Sequence, residues 1–271
     1  MATEIEERIA DKLVDARLMA RVLESYPDPR PRDIDSGYRC QDRAIEKWPD
    51  SVAGWKVTSV WEPEWNPPAG HERLIGPVFS EKVVSVAEGE VARCPVIDGG
   101  LCGIEPELIV RLAEDAPAGK TKWTVDEAAS LVGEMFLGAE IVTSPVPDLF
   151  EQGMSAVAAD FCANFGVVVG QSILRWRDLE NIEAYCFVGH DLVGHAAMSV
   201  RTGPLEGLAF LLGETARRGH SMPQGTLVTT GTITDFHAAV PGQFVRIVYT
   251  GIGEIACQME AAGPSSSDSG E

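Results

Sequence analysis

A chain of 271 residues suits one large domain, or one domain with a smaller appendage. Its 45% apolar and 23% charged residues are those of an ordinary globular protein. The net charge of −19, from 41 acids against 22 bases, argues against nucleic acid as a partner, because no basic stripe is present to neutralise phosphates.

Residues 4–25 place Ile5, Ile9, Leu13, Ala16, Ala20 and Leu23 on one helical face. This charged, amphipathic opening is no signal peptide, and no apolar run reaches the roughly 18 residues of a membrane span. A cytoplasmic location without a membrane partner is therefore expected. The prolines of YPDPRPRD end the first helix. DIDSGYRCQDRAIEKW predicts a second helix, with Asp33 or Asp35 as N-cap. The two form an N-terminal helical region over residues 1–50.

From Val52 the texture changes to strands, beginning with AGWKVTSV. PEWNPPAGHERL is a long Pro- and Gly-rich loop of the kind that serves as a lid or binding loop. GPVFSEKVVSV, EVARCPVI and GIEPELIVRL follow as strands. TVDEAASLVGEM predicts a helix capped by Thr124 with Glu127 completing a capping box, and FLGAEIVTS a strand. AVAADFCANFGVVVG ends in a buried strand, and GPLEGLAFLLGETARRG is a helix stopped by Gly219. GTLVTTGTI and GQFVRIVYTGIGEIACQM add a strand and a hairpin. The main domain thus covers residues 51–260, with a disordered tail at 261–271. Many strands and few helices give an α+β class with a curved, mixed sheet rather than a doubly wound one.

GIEPELIVRL carries two acids, Glu105 and Glu107, in an otherwise apolar strand. Side chains at i and i+2 share a face, so the two lie about 6–7 Å apart, from about 3.3 Å of rise per residue. On an exposed face this needs no explanation. On a pocket wall the like charges need a cation, and a divalent metal is the simplest one. Glu140 in GAEIV is a third acid in an apolar strand, with the same two readings open.

In order and spacing, DIDSGYRCQ, AGWKV, LIGPVF, GIEPEL, LGAEIVTS, VAADFCANFGVVVG, GTLVTTGTI and VPGQFVRIVYTGIGEI resemble the fumarylacetoacetate hydrolase superfamily. The closer likeness is to its branch of 2-keto-4-pentenoate hydratases and 4-oxalocrotonate decarboxylases. The resemblance implies that superfamily's mixed β-roll or sandwich. It implies Glu105, Glu107 and Glu140 as ligands of Mg²⁺ or Mn²⁺, a choice consistent with hard oxygen donors. It implies Lys56 as a catalytic lysine that pairs with a substrate carboxylate or donates a proton, and that is expected across the pocket from the metal, near Thr230 and Gly231. Thr230 and Gly231 match a turn beside the substrate. The chain departs from the branch at Leu74, where hydratases carry an acid, and at Phe161 and Ala163, where they carry an amide and a serine; Asp160 is kept. Leu74 and Phe161 are expected to line a more apolar pocket.

His71, in the loop, is either a solvated residue or a lid general base. His237 follows the TG turn and is a second candidate for the pocket, whereas His190, His195 and His220 are expected at the surface. Asp148 and Glu151 follow the Glu140 strand and are lesser candidates for the same cleft, with solvent as the other reading. The six cysteines show no CxxC spacing and are expected to be reduced core residues. The functional expectation is a divalent-metal-dependent lyase acting on a small 2-oxo acid or its enol in catabolism. Hydration comes first, decarboxylation second and carbon–carbon hydrolysis third. The missing acid at position 74 predicts weak hydratase activity. A homo-oligomer, or a complex with a related enzyme in which this chain is the non-catalytic partner, is also expected.

Overall fold

A computed structural model describes residues 4–59 and 72–265. The chain begins with α1 (Glu4–Leu18) and α2 (Ile34–Lys47), followed by β1 (Val52–Ser59), β2 (Arg73–Phe79), β3 (Val83–Ser85), β4 (Val91–Val96) and β5 (Leu101–Leu112). Next come α3 (Val125–Ser130), β6 (Val132–Ser144), α4 (Met154–Ala159), β7 (Asn164–Ser172), β8 (Asn181–Val188) and β9 (Asp191–Ser199). The chain continues through α5 (Glu206–Arg217), β10 (Leu227–Thr229), β11 (His237–Ala238), β12 (Phe244–Tyr249) and β13 (Gly253–Ala261).

Local chemistry sets several boundaries. α1 ends earlier than its apolar periodicity: Ala20 turns left-handed at φ 48°, and the amide of Leu23 bonds to Pro145 on the main domain. Asp33 caps α2 by accepting from the Ser36 amide at 2.7 Å. Thr124 and Glu127 form the expected box on α3, but that helix stops at Ser130. The residues beyond it pair instead with β5 along almost its whole length, so strand pairing overrides the helical reading of LVGEM. The β8–β9 hairpin was not anticipated. Its first strand alternates, burying Ile182, Ala184, Cys186 and Val188, and its second carries His195, at the surface as expected.

The strands form two sheets. The larger runs β2-β1-β10-β5-β6-β7-β3, with β11 added to one end of β5; the smaller runs β4-β13-β12-β8-β9. In the larger sheet β2 also touches β7, although four strands separate them in the order, so the sheet curls on itself. Val78, Ile109, Phe136, Val167, Val169 and Leu227, drawn from five of its strands, meet in one cluster on the inner face. The outer face shares the main core with the smaller sheet. Tyr249 of β12 ties the two together, its hydroxyl lying against the carbonyls of Gly138 and, at 3.1 Å, Glu107. All six cysteines are buried and free of disulfides. No helix among the described residues is long and apolar enough to cross a membrane.

The N-terminal helices are wired into this body. Arg17 of α1 is buried and pairs with buried Asp160 at 2.5 Å. It also donates to the carbonyls of Asn164 (2.9 Å), Asp160 (2.9 Å) and Thr143 (3.0 Å). Removing one partner of such a pair leaves an uncompensated buried charge. Arg17→Met is therefore expected to destabilise the fold by about 3–5 kcal/mol in denaturant unfolding. A loss below about 1 kcal/mol, the level of a surface pair, would show that docking of α1 does not depend on it.

Candidate metal centre

The antiparallel register of β5 and β6 puts Glu105 directly opposite Glu140, and Glu107 opposite Gly138. All three glutamates therefore share the inner face of the curled sheet, where Glu107 and Glu140 are fully buried and Glu105 nearly so. One carboxylate oxygen from each lies within 4.8 Å of the others.

Each of the two deepest acids is held by one oxygen and leaves the other without a partner. Glu140 Oε1 accepts from Asn164 Nδ2 at 2.9 Å and lies 2.9 Å from Lys56 Nζ. Glu107 Oε2 accepts from the Gly231 amide at 2.8 Å. Glu140 Oε2 and Glu107 Oε1 are buried and have no hydrogen-bond partner. Such orphaned carboxylate oxygens are costly, and their convergence with Glu105 fits a hard divalent cation. Burial pushes the Glu105 carboxyl up to about 7, with Lys56 opposing the shift and Glu140 adding to it. Burial, reinforced by repulsion from Glu140 and Glu105, raises Glu107 well above the usual carboxylate range.

Lys56 does not stand across the pocket from the acids, as its role opposite a metal implied. Its register against Gly76 of β2 and Thr229 of β10 sets it on the same face, and the ammonium bonds directly to Glu140. Burial alone lowers its pKa, but the attraction of Glu140 and then Glu105 outweighs that and holds it above the ordinary lysine value. Its other partner is the Cys162 carbonyl, at 3.1 Å. That carbonyl is aimed by an unusual turn in which Phe161, Cys162 and Ala163 all have positive φ, of 54°, 52° and 61°. Left-handed backbone costs about 1–2 kcal/mol per non-glycine residue. The turn also presses on β2, where a Cβ on Gly76 would meet the Phe161 carbonyl oxygen at 2.3 Å.

Beside the acids opens a cavity of about 640 Å³. Its walls include Glu105, Thr58, Thr230 and Gly231, with Phe150 and Phe236 on one side. A small inner pocket continues from it to Lys56 and Cys162. The TG turn is thus present, but its groups are already used: the Thr230 hydroxyl donates to the Leu108 carbonyl at 2.8 Å, and Gly231, at φ 104°, serves Glu107.

Two expected lining residues are not in the cavity wall. Leu74, opposite Thr58, is fully buried in the main core. Phe161 packs its ring against Trp48 and Phe79 beneath the N-terminal helices, because the left-handed turn directs it there. His71 lies outside the described residues. His237 bonds to Thr234 at 2.8 Å on β11, opposite Ile104, and is absent from the cavity wall. Exposed Asp148 accepts from Gln152, and neither it nor Glu151 lines the cavity. Asn164 and Arg17 were missed in the sequence, each being a single polar residue in an apolar run. The one available signal was that an amide or guanidinium in such a run needs a buried partner.

This curled mixed sheet with its flanking helices is the fumarylacetoacetate hydrolase fold, and the resemblance read from the motifs holds in sequence and in structure. The 4-oxalocrotonate decarboxylase of Pseudomonas putida is 24% identical over 185 residues, 66% of this chain and 67% of that protein. The solved 4-oxalocrotonate decarboxylase from Pseudomonas putida G7, complexed with calcium and acetate, superposes with a TM-score of 0.77 at 20% identity, covering 94% of this chain and 97% of that one. Fumarylpyruvate hydrolase from Pseudomonas aeruginosa, in complex with Mn²⁺ and pyruvate, gives a TM-score of 0.57 at 15% identity, covering 77% of this chain and 89% of that one. No family model matches the chain.

Asn164→Ala frees the anchored oxygen of Glu140. It is expected to weaken Mn²⁺ binding about 10–100-fold in calorimetric titration, as loss of a group that orients a ligand does. Unchanged affinity would show that Lys56 alone orients Glu140. A second expectation concerns pH. Glu105, raised from an ordinary 4.5 to about 7, holds its proton more tightly folded than unfolded. Its contribution to stability is therefore fully present at low pH and is lost as pH rises from about 4.5 through 7. In chelator-treated protein, Glu105→Gln should gain melting temperature relative to the unsubstituted protein between about pH 5 and pH 8. Parallel profiles would contradict the assignment.

Proposed function

We propose that the protein is a divalent-metal-dependent lyase acting on a 2-oxo acid, with decarboxylation favoured over hydration. The observation that carries this reading is the pair of orphaned carboxylate oxygens converging with Glu105 at the wall of a cavity large enough for a small metabolite. The similarity to 4-oxalocrotonate decarboxylase supports the same choice.

Glu105, Glu107 and Glu140 would hold the cation. When bound, it supplies a Lewis acid that stabilises the negative charge of an enolate. The chain's own groups do the rest. Lys56, charged at neutral pH and reaching the inner pocket, offers a counter-charge to a substrate carboxylate and a proton for the carbon that loses CO₂. In that step the bond to the departing carboxyl breaks, its electron pair enters the enolate, and one proton completes the product. Phe150 and Phe236 keep the adjoining space apolar. The preference over hydration rests on the similarity to 4-oxalocrotonate decarboxylase, because Leu74 lies in the main core and says nothing about a base in the cavity.

In metal-replete protein we expect oxaloacetate decarboxylation above the rate given by the free metal, and weak hydration of 2-hydroxypenta-2,4-dienoate. Glu107→Gln should abolish the activity. Lys56→Ala should lower it about 10²–10⁴-fold, the usual worth of a positioned proton donor. Faster dienoate hydration than decarboxylation would overturn the preference. Absence of both activities, with no thermal shift from Mg²⁺ plus oxalate, would favour a non-catalytic partner of a related enzyme.

A further inference from the structure

We propose that Asp235 is a further catalytic residue, a base whose carboxylate takes a proton from the carbon beside the ketone of a bound 2-oxo acid and returns it. The inference rests on the 2-oxo acid reading of the metal centre and adds the proton acceptor which that reading lacks.

The segment after β10 is laid along β5 in a way that puts Asp235 beside the three glutamates. The Gly231 amide donates to Glu107 at 2.8 Å, the Ile233 amide donates to the Pro106 carbonyl at 2.8 Å, and His237 of β11 stands opposite Ile104. Four residue steps from Ile233 to His237 thus face two steps on β5, from Pro106 to Ile104. The excess bulges beside Glu105, and Asp235 lies in it with φ 70°. Bulges next to a site re-aim a side chain in this way. Phe236 pins the bulge. Its ring reaches within 2.2 Å of where a Cβ on Gly103 would stand, and it meets Phe150 edge to face at 5.4 Å.

The carboxylate so placed is on the wall of the cavity of about 640 Å³, a wall it shares with Glu105, Thr58 and Gly231. After burial, Lys56 and Glu140, it is the next group whose charge acts on the Glu105 carboxyl. An aspartate present only for its left-handed backbone commits its side chain to nearby amides. Among the described residues this carboxylate has no hydrogen-bond or ion-pair partner. Other groups close the turn: Thr232 Oγ1 donates to the Asp235 carbonyl at 3.1 Å, and Thr234 Oγ1 bonds to His237 Nε2 at 2.8 Å.

The shape of the site brings the reacting carbon to this acid. Glu105 borders both the cavity and the inner pocket, and the inner pocket, of about 20 Å³, holds a single water and no carbon chain. A 2-oxo acid held at the three glutamates therefore extends its chain into the cavity. The acids on the described wall there are Glu105 and Asp235, and Glu105 belongs to the glutamate cluster. Arg73 is turned to Ser59 and Glu206. In the step, the C–H bond beside the ketone breaks and its proton passes to an Asp235 oxygen. The electron pair forms the carbon–carbon double bond of the enolate, and the ketone oxygen takes the charge. Return of that proton, or of one from solvent, restores the 2-oxo acid.

Exchange of the pyruvate methyl protons for deuterium, followed by NMR in D₂O with Mg²⁺ saturating, reads this step apart from carbon–carbon cleavage. The protein is expected to exchange them faster than free Mg²⁺ does, and Asp235→Asn to lower that rate about 10²–10⁴-fold. Asparagine accepts the left-handed backbone as aspartate does, so the bulge is kept. In calorimetry Asp235→Asn should bind oxalate at least as tightly as the unsubstituted protein, because a base is not a ligand and one repelling charge is gone. Oxalate binding without exchange above free Mg²⁺, or unchanged exchange in Asp235→Asn, would overturn the role of Asp235 and leave the 2-oxo acid site standing. Weaker oxalate binding by Asp235→Asn would also overturn it, by marking Asp235 as a structural part of the site. Neither oxalate binding nor exchange in the magnesium-loaded protein would overturn both readings together.

Discussion

Three buried carboxylates on the inside of a curled sheet are the constraint around which the rest of this molecule is arranged. Two like charges opposite each other on paired strands are destabilising, and burial amplifies the cost. The fold answers with one buried ammonium, one side-chain amide and one backbone amide, each on a different element: Lys56 on β1, Asn164 on β7 and Gly231 after β10. These donors fix one oxygen of Glu140 and one of Glu107. They also leave the remaining oxygens without a partner inside the cluster of three carboxylates, so compensation of charge and presentation of ligands are the same arrangement.

The supports of that arrangement extend to the chain's beginning. Arg17 gathers Asp160, Asn164 and Thr143 from a distance of more than a hundred residues, and thereby holds the segment that carries both the amide for Glu140 and the carbonyl for Lys56. The left-handed turn at Phe161–Ala163 is the adjustable piece. It sends the Cys162 carbonyl inward and the Phe161 ring outward, against Trp48 and Phe79. Backbone strain is borne at the site, and aromatic packing on the far side of the turn offsets it.

How much of this was legible in the sequence depends on whether a period or a partner carries the information. The period of two puts Glu105 and Glu107 on one face from sequence alone, and the order of motifs carries the fold. The capping box at Thr124 was readable because it is local. Phe161 was assigned to the pocket because substitution patterns do not reveal that three successive residues adopt positive φ. Lys56 was placed opposite the acids because register across β10, a strand of three residues, is not encoded in any window around Lys56. The β8–β9 hairpin escaped for another reason: its outer strand is half exposed and lacks the apolar alternation that marks β8.

The pairing of β5 with β6 has a consequence for how the molecule comes to be folded. These strands follow one another in the chain, separated by residues 113–131 with α3, and make a long ladder of modest sequence separation, the kind of unit that forms early. Glu105 and Glu140 then face each other before the lysine that separates their charges is in place. β1 reaches the ladder only through β10, a parallel pairing between residues 54–56 and 227–229 that closes most of the chain into one loop. The hairpin alone is therefore electrostatically frustrated, and the long-range closure of β1 onto β10 relieves it. In a nascent chain leaving the ribosome, Lys56 emerges before the acids, yet β5 and β6 are complete before β10 is made. The strand that brings Lys56 home must wait for β10, more than eighty residues after Glu140.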